Sequence, residues 1–159
     1  MLKCGAAAFA LLFVNLVAAQ APPFEPVAPT GLPYSIVISG VTIDGQQLPT
    51  GAQIGVFDDT LCVGAVWYDQ DSANTQLVAW EGDDSQGLPG FEFGNTMLFK
   101  VRVEWFSQIQ VFDATATYQQ GNGTFGFGGF SVVNLDVNTG LAPDISVSET
   151  ILDFGDVPT

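Results

Sequence analysis

The sequence lacks histidine altogether, and it has only three basic residues and two cysteines among 159 positions. The missing histidine excludes Ser-His-Asp and Cys-His catalysis, imidazole metal ligands and an imidazole pH switch. Three bases cannot form the cationic surface that holds a phosphate backbone, so nucleic acid is excluded as a partner. Two cysteines exclude a disulfide-dense scaffold and a four-thiolate zinc site.

The acidic residues dominate the charge of the chain. Seventeen Asp and Glu residues give a formal net charge of −14, although only 13% of all residues are charged. Hydrophobic residues make up 47%, which is enough to bury a core in one compact domain. So acidic a surface keeps a protein in solution and repels nucleic acid and anionic membranes.

The first twenty residues, MLKCGAAAFALLFVNLVAAQ, have the layout of a secretory signal peptide. Lys3 precedes a short apolar run, and small residues follow it, whereas a membrane span would need a longer run. We therefore expect residues 1–20 to be removed and the protein to be secreted, extracellular or at the cell surface, with no membrane insertion. A buried N-terminal helix is the alternative. Removal of Cys4 would leave Cys62 as the only thiol, most simply a small buried hydrophobe.

The body of the chain reads as strands and turns. Residues 21–33 are rich in proline and predict an extended lead-in segment. After it, β-prone runs alternate with Gly, Asp, Asn and Pro, and Asp44-Gly45 is a tight-turn signal. The predicted strands are residues 34–43, 53–57, 61–68, 75–80, 96–105, 109–118 and 130–137.

The run 96–105, TMLFKVRVEW, is the clearest of these strands. Apolar residues occupy alternate positions, and Lys100 and Arg102 lie on the opposite side, so the strand has one wet face. No window outside the first twenty residues has a helical apolar stripe. The pattern predicts an all-β antiparallel β-sandwich over residues 34–138, jelly-roll or immunoglobulin-like, with about seven or eight strands. A parallel sheet would need helical crossovers, for which there is no sequence.

The C-terminal part predicts a change of module. Residues 139–144 are a linker by composition, and residues 145–159 read ISVSETILDFGDVPT. Fifteen residues cannot bury a core, so we interpret them as the truncated start of a second immunoglobulin-like module. A final strand of the first domain is the alternative.

Two stretches resemble known families. The tail ISVSETILDFGDV resembles the opening of choice-of-anchor D domains, which are Hydin-type immunoglobulin-like repeats. The runs IGVFDDTLCVGA and WEGDDSQGLPGFEFGNTMLFKV are similar to a repeat of large secreted bacterial surface proteins. This resemblance implies an extracellular accessory module without an enzymatic activity, with the other modules of a longer chain as its partners. The chain departs from the repeat at Ala52-Gln53 and Asp59-Thr60, where the repeat has Asp-Glu and Gly-Asp.

Clustered acidic residues suggest one candidate cofactor, calcium. Asp69 and Asp71 follow the third predicted strand, and Asp83 and Asp84 follow the fourth. If both loops lie at one end of the sandwich, the four carboxylates converge as oxygen ligands. The alternative is a set of solvated turn residues, because Asp is favoured in turns for its local backbone hydrogen bonds.

Aromatic residues suggest carbohydrate binding as another candidate. The candidates for a sugar-stacking platform are Trp67, Tyr68, Trp80 and Trp105. Aromatics in strands usually belong to the core, but Tyr68 and Trp80 lie at strand ends beside acidic loops. These two are the predicted sugar-stacking residues. Paired carboxylates also fit glycoside hydrolysis, but the sequence has no clear cleft-forming insertion.

The sequence favours a non-catalytic extracellular structural or adhesion module of a larger secreted or cell-surface protein. A carbohydrate-binding module is the first alternative. A calcium-stabilised accessory domain of a secreted hydrolase is the second. No catalytic residues and no cofactor other than calcium are predicted, and polysaccharide or cell-surface components are candidate partners beside the neighbouring modules.

Overall fold

The computed structural model describes residues 23–105 and 107–140. The predicted signal peptide, residues 1–20, and the predicted second module, residues 145–159, lie outside these ranges. The described part contains eight strands and no helix. They are β1 (Pro33–Ile43), β2 (Gln46–Gln47), β3 (Gln53–Asp58), β4 (Leu61–Trp67), β5 (Thr75–Trp80), β6 (Met97–Trp105), β7 (Gln108–Gln120) and β8 (Phe130–Val137).

One mixed sheet contains all eight strands. Its order is β5-β1-β8-β7-β6-β3-β4, and the short β2 pairs with β1 beyond the end of β5. The sheet is not closed. Eight strands without a helix in the described residues confirm the prediction of an all-β sandwich-like fold with about eight strands. Every neighbouring pair is antiparallel except β1 and β8, which run parallel from the pair Ser35–Phe130 to the pair Ile43–Val137.

The parallel pair departs from the antiparallel sheet that we expected. Parallel neighbours need a long crossover connection, which is usually a helix. Here β1 and β8 are neighbours in the sheet but are the first and last strands along the chain. The six strands between them in sequence therefore form the connection.

Two strands at the ends of the sheet approach each other and enclose the core. β4 packs against β5 where Gly64 faces Val78 and Leu77, and a Cβ added at Gly64 would collide with the carbonyl oxygen of Val78. Only glycine permits this approach of two backbones. The enclosed core contains, among others, Ile36, Ile38, Ile54, Val56, Val63, Leu77, Phe91, Val101, Phe125 and Leu135.

The local predictions for β6 and the turns are confirmed. In β6 the apolar side chains of Met97, Phe99, Val101 and Val103 are each no more than 4% exposed. The β1–β2 turn has positive φ at Asp44 (49°) and Gly45 (75°), which is the geometry of a tight type I′ hairpin. The runs 53–57 and 61–68 form the expected antiparallel hairpin.

The lead-in, residues 23–32, is extended and lies on the outer face of β3 and β4. The amide of Phe24 donates to Oε1 of Gln53 (2.7 Å), and Nε2 of Gln53 donates back to the carbonyl of Phe24 (3.0 Å). Farther along, the amide of Val27 donates to the carbonyl of Cys62 (3.0 Å). The lead-in therefore runs across the outside of the sheet from the start of β3 to the start of β1.

Candidate functional site

The described domain has two ends, which we call the upper and lower ends. The upper end holds the β1–β2 turn, the loop 68–74 after β4 and the start of β3; the lower end holds the loop 81–96 after β5 and the loop 121–129. β4 and β5 run in opposite directions through the sheet, so the loops that follow them lie at opposite ends.

Asp69 and Asp71 lie in the upper loop. A carboxylate oxygen of Asp69 accepts a hydrogen bond from the amide of Asp71 (3.1 Å), and the Thr50 hydroxyl lies at the limit of hydrogen-bond distance, 3.5 Å. The amide of Gln70 donates to that same hydroxyl (3.1 Å). Asp69 therefore closes a local turn, as Asp commonly does in loops.

Asp83 and Asp84 lie in the lower loop. Asp83 accepts hydrogen bonds from the amides of Ser85 (2.9 Å) and Gln86 (3.3 Å) and from both of their side chains. These contacts lower the pKa of Asp83 below its usual range, with the Ser85 hydroxyl making the largest contribution and the Gln86 side chain the next. Donors that favour the ionised carboxylate have this effect. Asp84 is exposed.

The structure does not bring the two pairs of carboxylates together. β5 ends beside Pro33 at the start of β1, whereas Gln70 contacts Gln47, which pairs with Thr42 near the end of β1. The length of β1 separates the loops by roughly 25 Å or more at about 3.3 Å per residue. Our premise that both loops share one end is wrong, because successive antiparallel strands send their loops to alternating ends. Among the described residues, no three His, Cys, Asp or Glu side chains are grouped to hold a metal ion. Calcium binding stays a prediction.

The two predicted sugar-stacking residues differ in position and exposure. Tyr68, at the upper end, is 7% exposed and presents no open ring face; its hydroxyl is 3.5 Å from Nε2 of Gln47. Trp80, at the lower end, is half-buried. Among the side chains that the structure describes, the more exposed aromatic residues are Trp67, Phe93, Phe127 and Phe130, at 55%, 73%, 53% and 39%.

Sequence reasoning missed Phe93 and Phe127 for a local reason. A period of two places Phe91 with Phe93, and Phe125 with Phe127, on the same side of a strand. In the structure Phe91 and Phe125 are buried and stack at 4.5 Å, while the other two rings face outwards. Gly126, at a φ of 76°, turns the chain between the second pair, and its place between two phenylalanines is the signal that could have shown this.

Two open clefts with mixed polar and apolar linings lie on either side of β1 near the upper end. The first, the Tyr68 cleft, has a volume of about 410 Å³, and the second, the β8 cleft, about 440 Å³. Both include residues 39–42 of β1. The Tyr68 cleft is completed by Gln47, Tyr68, Gln70, Ser72 and Ala73, and the β8 cleft by Thr117, Asn134, Leu135 and Asp136.

Hydrogen bonds fix several polar side chains in these clefts. The Ser39 hydroxyl donates to Oδ1 of Asn134 at 2.7 Å, and the Thr42 hydroxyl donates to Asp136 at 2.5 Å. On the other side, Nε2 of Gln47 donates to the carbonyl of Gln70 at 3.3 Å. The clefts therefore offer oriented hydroxyl and amide groups on a rigid sheet.

The groups with shifted pKa values do not meet at one place. The Thr139 hydroxyl, and then the Thr139 amide, lower the pKa of Asp44 in the β1–β2 turn. Burial raises the pKa of the Cys62 thiol, which fits a cysteine that packs rather than reacts. Asp44 is at the upper end and Asp83 at the lower, so these carboxyl groups do not form an acid–base pair across a cleft.

Comparison of the chain with family models, with curated proteins and with solved structures gave no match. The two resemblances drawn from the sequence therefore stay predictions. Within residues 23–105 and 107–140 there is no helix with the length and apolar character that a membrane span requires.

Proposed function

We propose that this domain is a non-catalytic extracellular structural and adhesion module that transmits tension along a longer chain. The pairing of its first and last strands carries the proposal. β1 and β8 run parallel over eight pairs of residues, so the start of β1 lies at the lower end and the end of β8 at the upper end.

This geometry determines how the sheet responds to a pull on the two ends of the chain. Force applied at Pro33 and Val137 acts along both strands in opposite directions, and it loads the hydrogen bonds between β1 and β8 together. In an antiparallel terminal hairpin with both ends at one edge, the same bonds would break one after another. A module that holds surface structures under flow or cell movement benefits from the first arrangement, because forced unfolding depends on the unfolding barrier.

Single-molecule stretching tests the proposal with a control in the same fold. The chain is stretched once through its two ends and once through handles on cysteines introduced as Thr50→Cys and Asp69→Cys, with Cys62→Ser and Cys4→Ser in both cases. Thr50 and Asp69 are exposed neighbours at the open end of the β3–β4 hairpin, so pulling there unzips it. We expect clearly higher rupture forces through the chain ends. Equal or lower forces through the ends would refute the tension-bearing role.

A second function, carbohydrate binding, is favoured by one observation. The Tyr68 cleft and the β8 cleft share residues 39–42, and apart from the carboxylate of Asp136 their polar side chains are neutral hydroxyl and amide groups rather than an aromatic platform. This supports recognition by hydrogen bonds, with Tyr68 as a wall of the cleft instead of a stacking surface.

A further inference from the structure

We propose that the Tyr68 cleft and the β8 cleft together form one groove, the β1 groove, that binds an extended neutral glycan across strands β7, β8, β1 and β2. The inference deepens the second candidate function and rests on it. It does not depend on the tension-bearing role of the β1–β8 pair.

The groove exists because the ladder beside β1 is interrupted. β5 pairs with β1 up to Ile38, and β2 pairs with it from Thr42 onwards. Between these points no strand from the described part of the chain pairs with β1 on that side. One hydrogen bond remains there, from the amide of Leu48 to the carbonyl of Val41. The gap opens the Tyr68 cleft. On the other side of β1, the β8 ladder shifts register between Ile38 and Gly40, a local irregularity of the kind that often adjoins binding sites.

Gly40 keeps the middle of the groove open. A Cβ at this position would lie 3.2 Å from Oδ1 of Asn134, which is tighter than ordinary contact. Its φ is not in the left-handed region. The backbone therefore does not require glycine here, and the space above the strand is what a larger side chain would remove.

The groups along the groove suit the hydroxyls of a sugar. Hydroxyl and amide side chains come from four elements: Thr117 on β7, Asn134 on β8, Ser39 and Thr42 on β1, and Gln47 on β2. Hydrogen bonds between β1 and β8 already hold Ser39 and Thr42, and a hydrogen bond to the loop 68–74 holds Gln47. Side chains fixed before binding lose less conformational entropy when a ligand arrives.

The charge of the groove selects a neutral ligand. No Lys or Arg lines either cleft, and the only carboxylate in the two linings is that of Asp136. The chain as a whole has a formal charge of −14, which repels uronic acids, sulfated sugars and phosphorylated polymers. Three strand spacings from β7 to β2 cover about 14 Å, which exceeds a single sugar ring. An oligosaccharide that crosses the strands therefore fits best.

Affinity electrophoresis of the full chain tests the inference. The gels contain mixed-linkage β-glucan, xyloglucan, arabinoxylan or galactomannan as neutral polymers and alginate as the anionic comparison. The groove variants are Asn134→Ala, which removes a central amide, and Gly40→Val, which fills the floor. The controls are Gln76→Ala, an exposed amide on β5 outside both linings, and the double variant Phe93→Ser/Phe127→Ser at the lower end. Thermal unfolding of each variant verifies that it is folded.

We expect at least one neutral polymer to retard the unmodified chain, and both groove variants to weaken that retardation tenfold or more. Both controls should retain it, and alginate should cause none. If no polymer retards the chain, the groove and the carbohydrate-binding function both fail. If retardation is lost in the Phe93→Ser/Phe127→Ser variant but kept in the groove variants, the function stands and the groove is refuted. Equal retardation by alginate would refute the neutral class of ligand.

Discussion

Two outward faces of the same sheet contrast sharply. The lead-in face is formed by β4, β3 and β6, and the groove face by β7, β8 and β1. On the lead-in face Gln53 and Phe57 point away from the core, yet they are only 4% and 8% exposed, because the lead-in covers them. On the groove face the outward side chains of Thr115, Thr117 and Asn134 are exposed.

The difference shows that the composition of an outward face decides what covers it. On the lead-in face, Gly55 has no side chain to obstruct a covering segment, and the Phe57 ring packs edge-on against the Phe24 ring. The side chain of Gln53 both accepts a hydrogen bond from and donates one to the backbone of Phe24, as a neighbouring strand would. A proline-rich segment can satisfy its backbone there without joining a ladder. The groove face presents hydroxyl and amide groups that water satisfies equally well, so no segment within residues 23–105 and 107–140 gains by covering it.

The substitution Gly55→Val should give the largest effect on this comparison. A Cβ at Gly55 would lie 2.8 Å from ring atoms of both Phe24 and Phe57, so the lead-in or the Phe57 ring must move. We expect a loss of about 2–3 kcal/mol in the free energy of unfolding, in the range for overpacking. Urea denaturation followed by tryptophan fluorescence measures it.

Gly40→Val is the matched control on the groove face. Its added Cβ would meet only the side-chain oxygen of the exposed Asn134, at 3.2 Å, which can move into solvent. We expect a change below about 1 kcal/mol. If both glycine variants lose the same stability, the lead-in face is no more closely covered than the groove face.

Gln53→Ala should give the next largest effect. The substitution removes two hydrogen bonds that hold the backbone of Phe24, from a side chain that is 4% exposed. At about 0.5–1.5 kcal/mol for each bond, we expect a loss of about 2 kcal/mol. Hydrogen exchange should become faster at the amides of Phe24 and Val27.

Gln76→Ala, at an exposed amide on β5, controls for the loss of a glutamine and should change neither quantity. Unchanged exchange at Phe24 in the Gln53→Ala variant would show that the Phe24–Phe57 contact alone holds the lead-in.

The strands could be predicted from the sequence because their signals are local. Alternation over residues 96–105 and the turn at Asp44-Gly45 depend only on neighbours in the chain, and β6 and the β1–β2 turn formed as expected. The parallel pairing of β1 with β8 joins residues about a hundred positions apart, and no local pattern encodes it. The position of the lead-in is likewise non-local, since it depends on the fold placing Gln53 on the outer side of β3, where Gln53 can bind the backbone of Phe24.

The candidate site was harder to predict because it depends on the ends of strands. The four aspartates share a turn-forming role, but the direction of β4 and β5 separates them. The β1 groove arises from a gap between β5 and β2, and a gap in a ladder leaves no motif in the sequence.

Tyr118→Phe tests the interior beneath the groove face, with a smaller expected effect. The Tyr118 hydroxyl is buried and has no hydrogen-bond partner among the described residues. Burial, and next the charge of nearby Tyr34, raise the pKa of Tyr118 to about 12. Removal of the unsatisfied hydroxyl should stabilise the fold by about 1 kcal/mol at neutral pH.

The same variant should alter the alkaline limb of the stability profile. Because the folded pKa is higher than the ordinary value of about 10, the folded state holds this proton more tightly, and its contribution is complete below pH 10. It is lost as the pH rises from about 10 to about 12. Urea unfolding across this window should therefore show a shallower decline for Tyr118→Phe than for the unmodified chain. Identical slopes would mean that Tyr118 does not ionise with a raised pKa.

The smallest expected effect concerns charge on the lead-in face. Nζ of Lys100 lies 2.6 Å from a carboxylate oxygen of Asp113, which is 85% exposed, and 5.8 Å from the centre of the Phe57 ring. An ion pair so open to water contributes at most about 0.5 kcal/mol, and salt screens it. Asp113→Asn should therefore change the unfolding free energy by less than Gln53→Ala does, and the difference should vanish in 1 M NaCl. A loss that matches Gln53→Ala and persists in salt would mean that charge, and not packing and backbone hydrogen bonds, holds this face together.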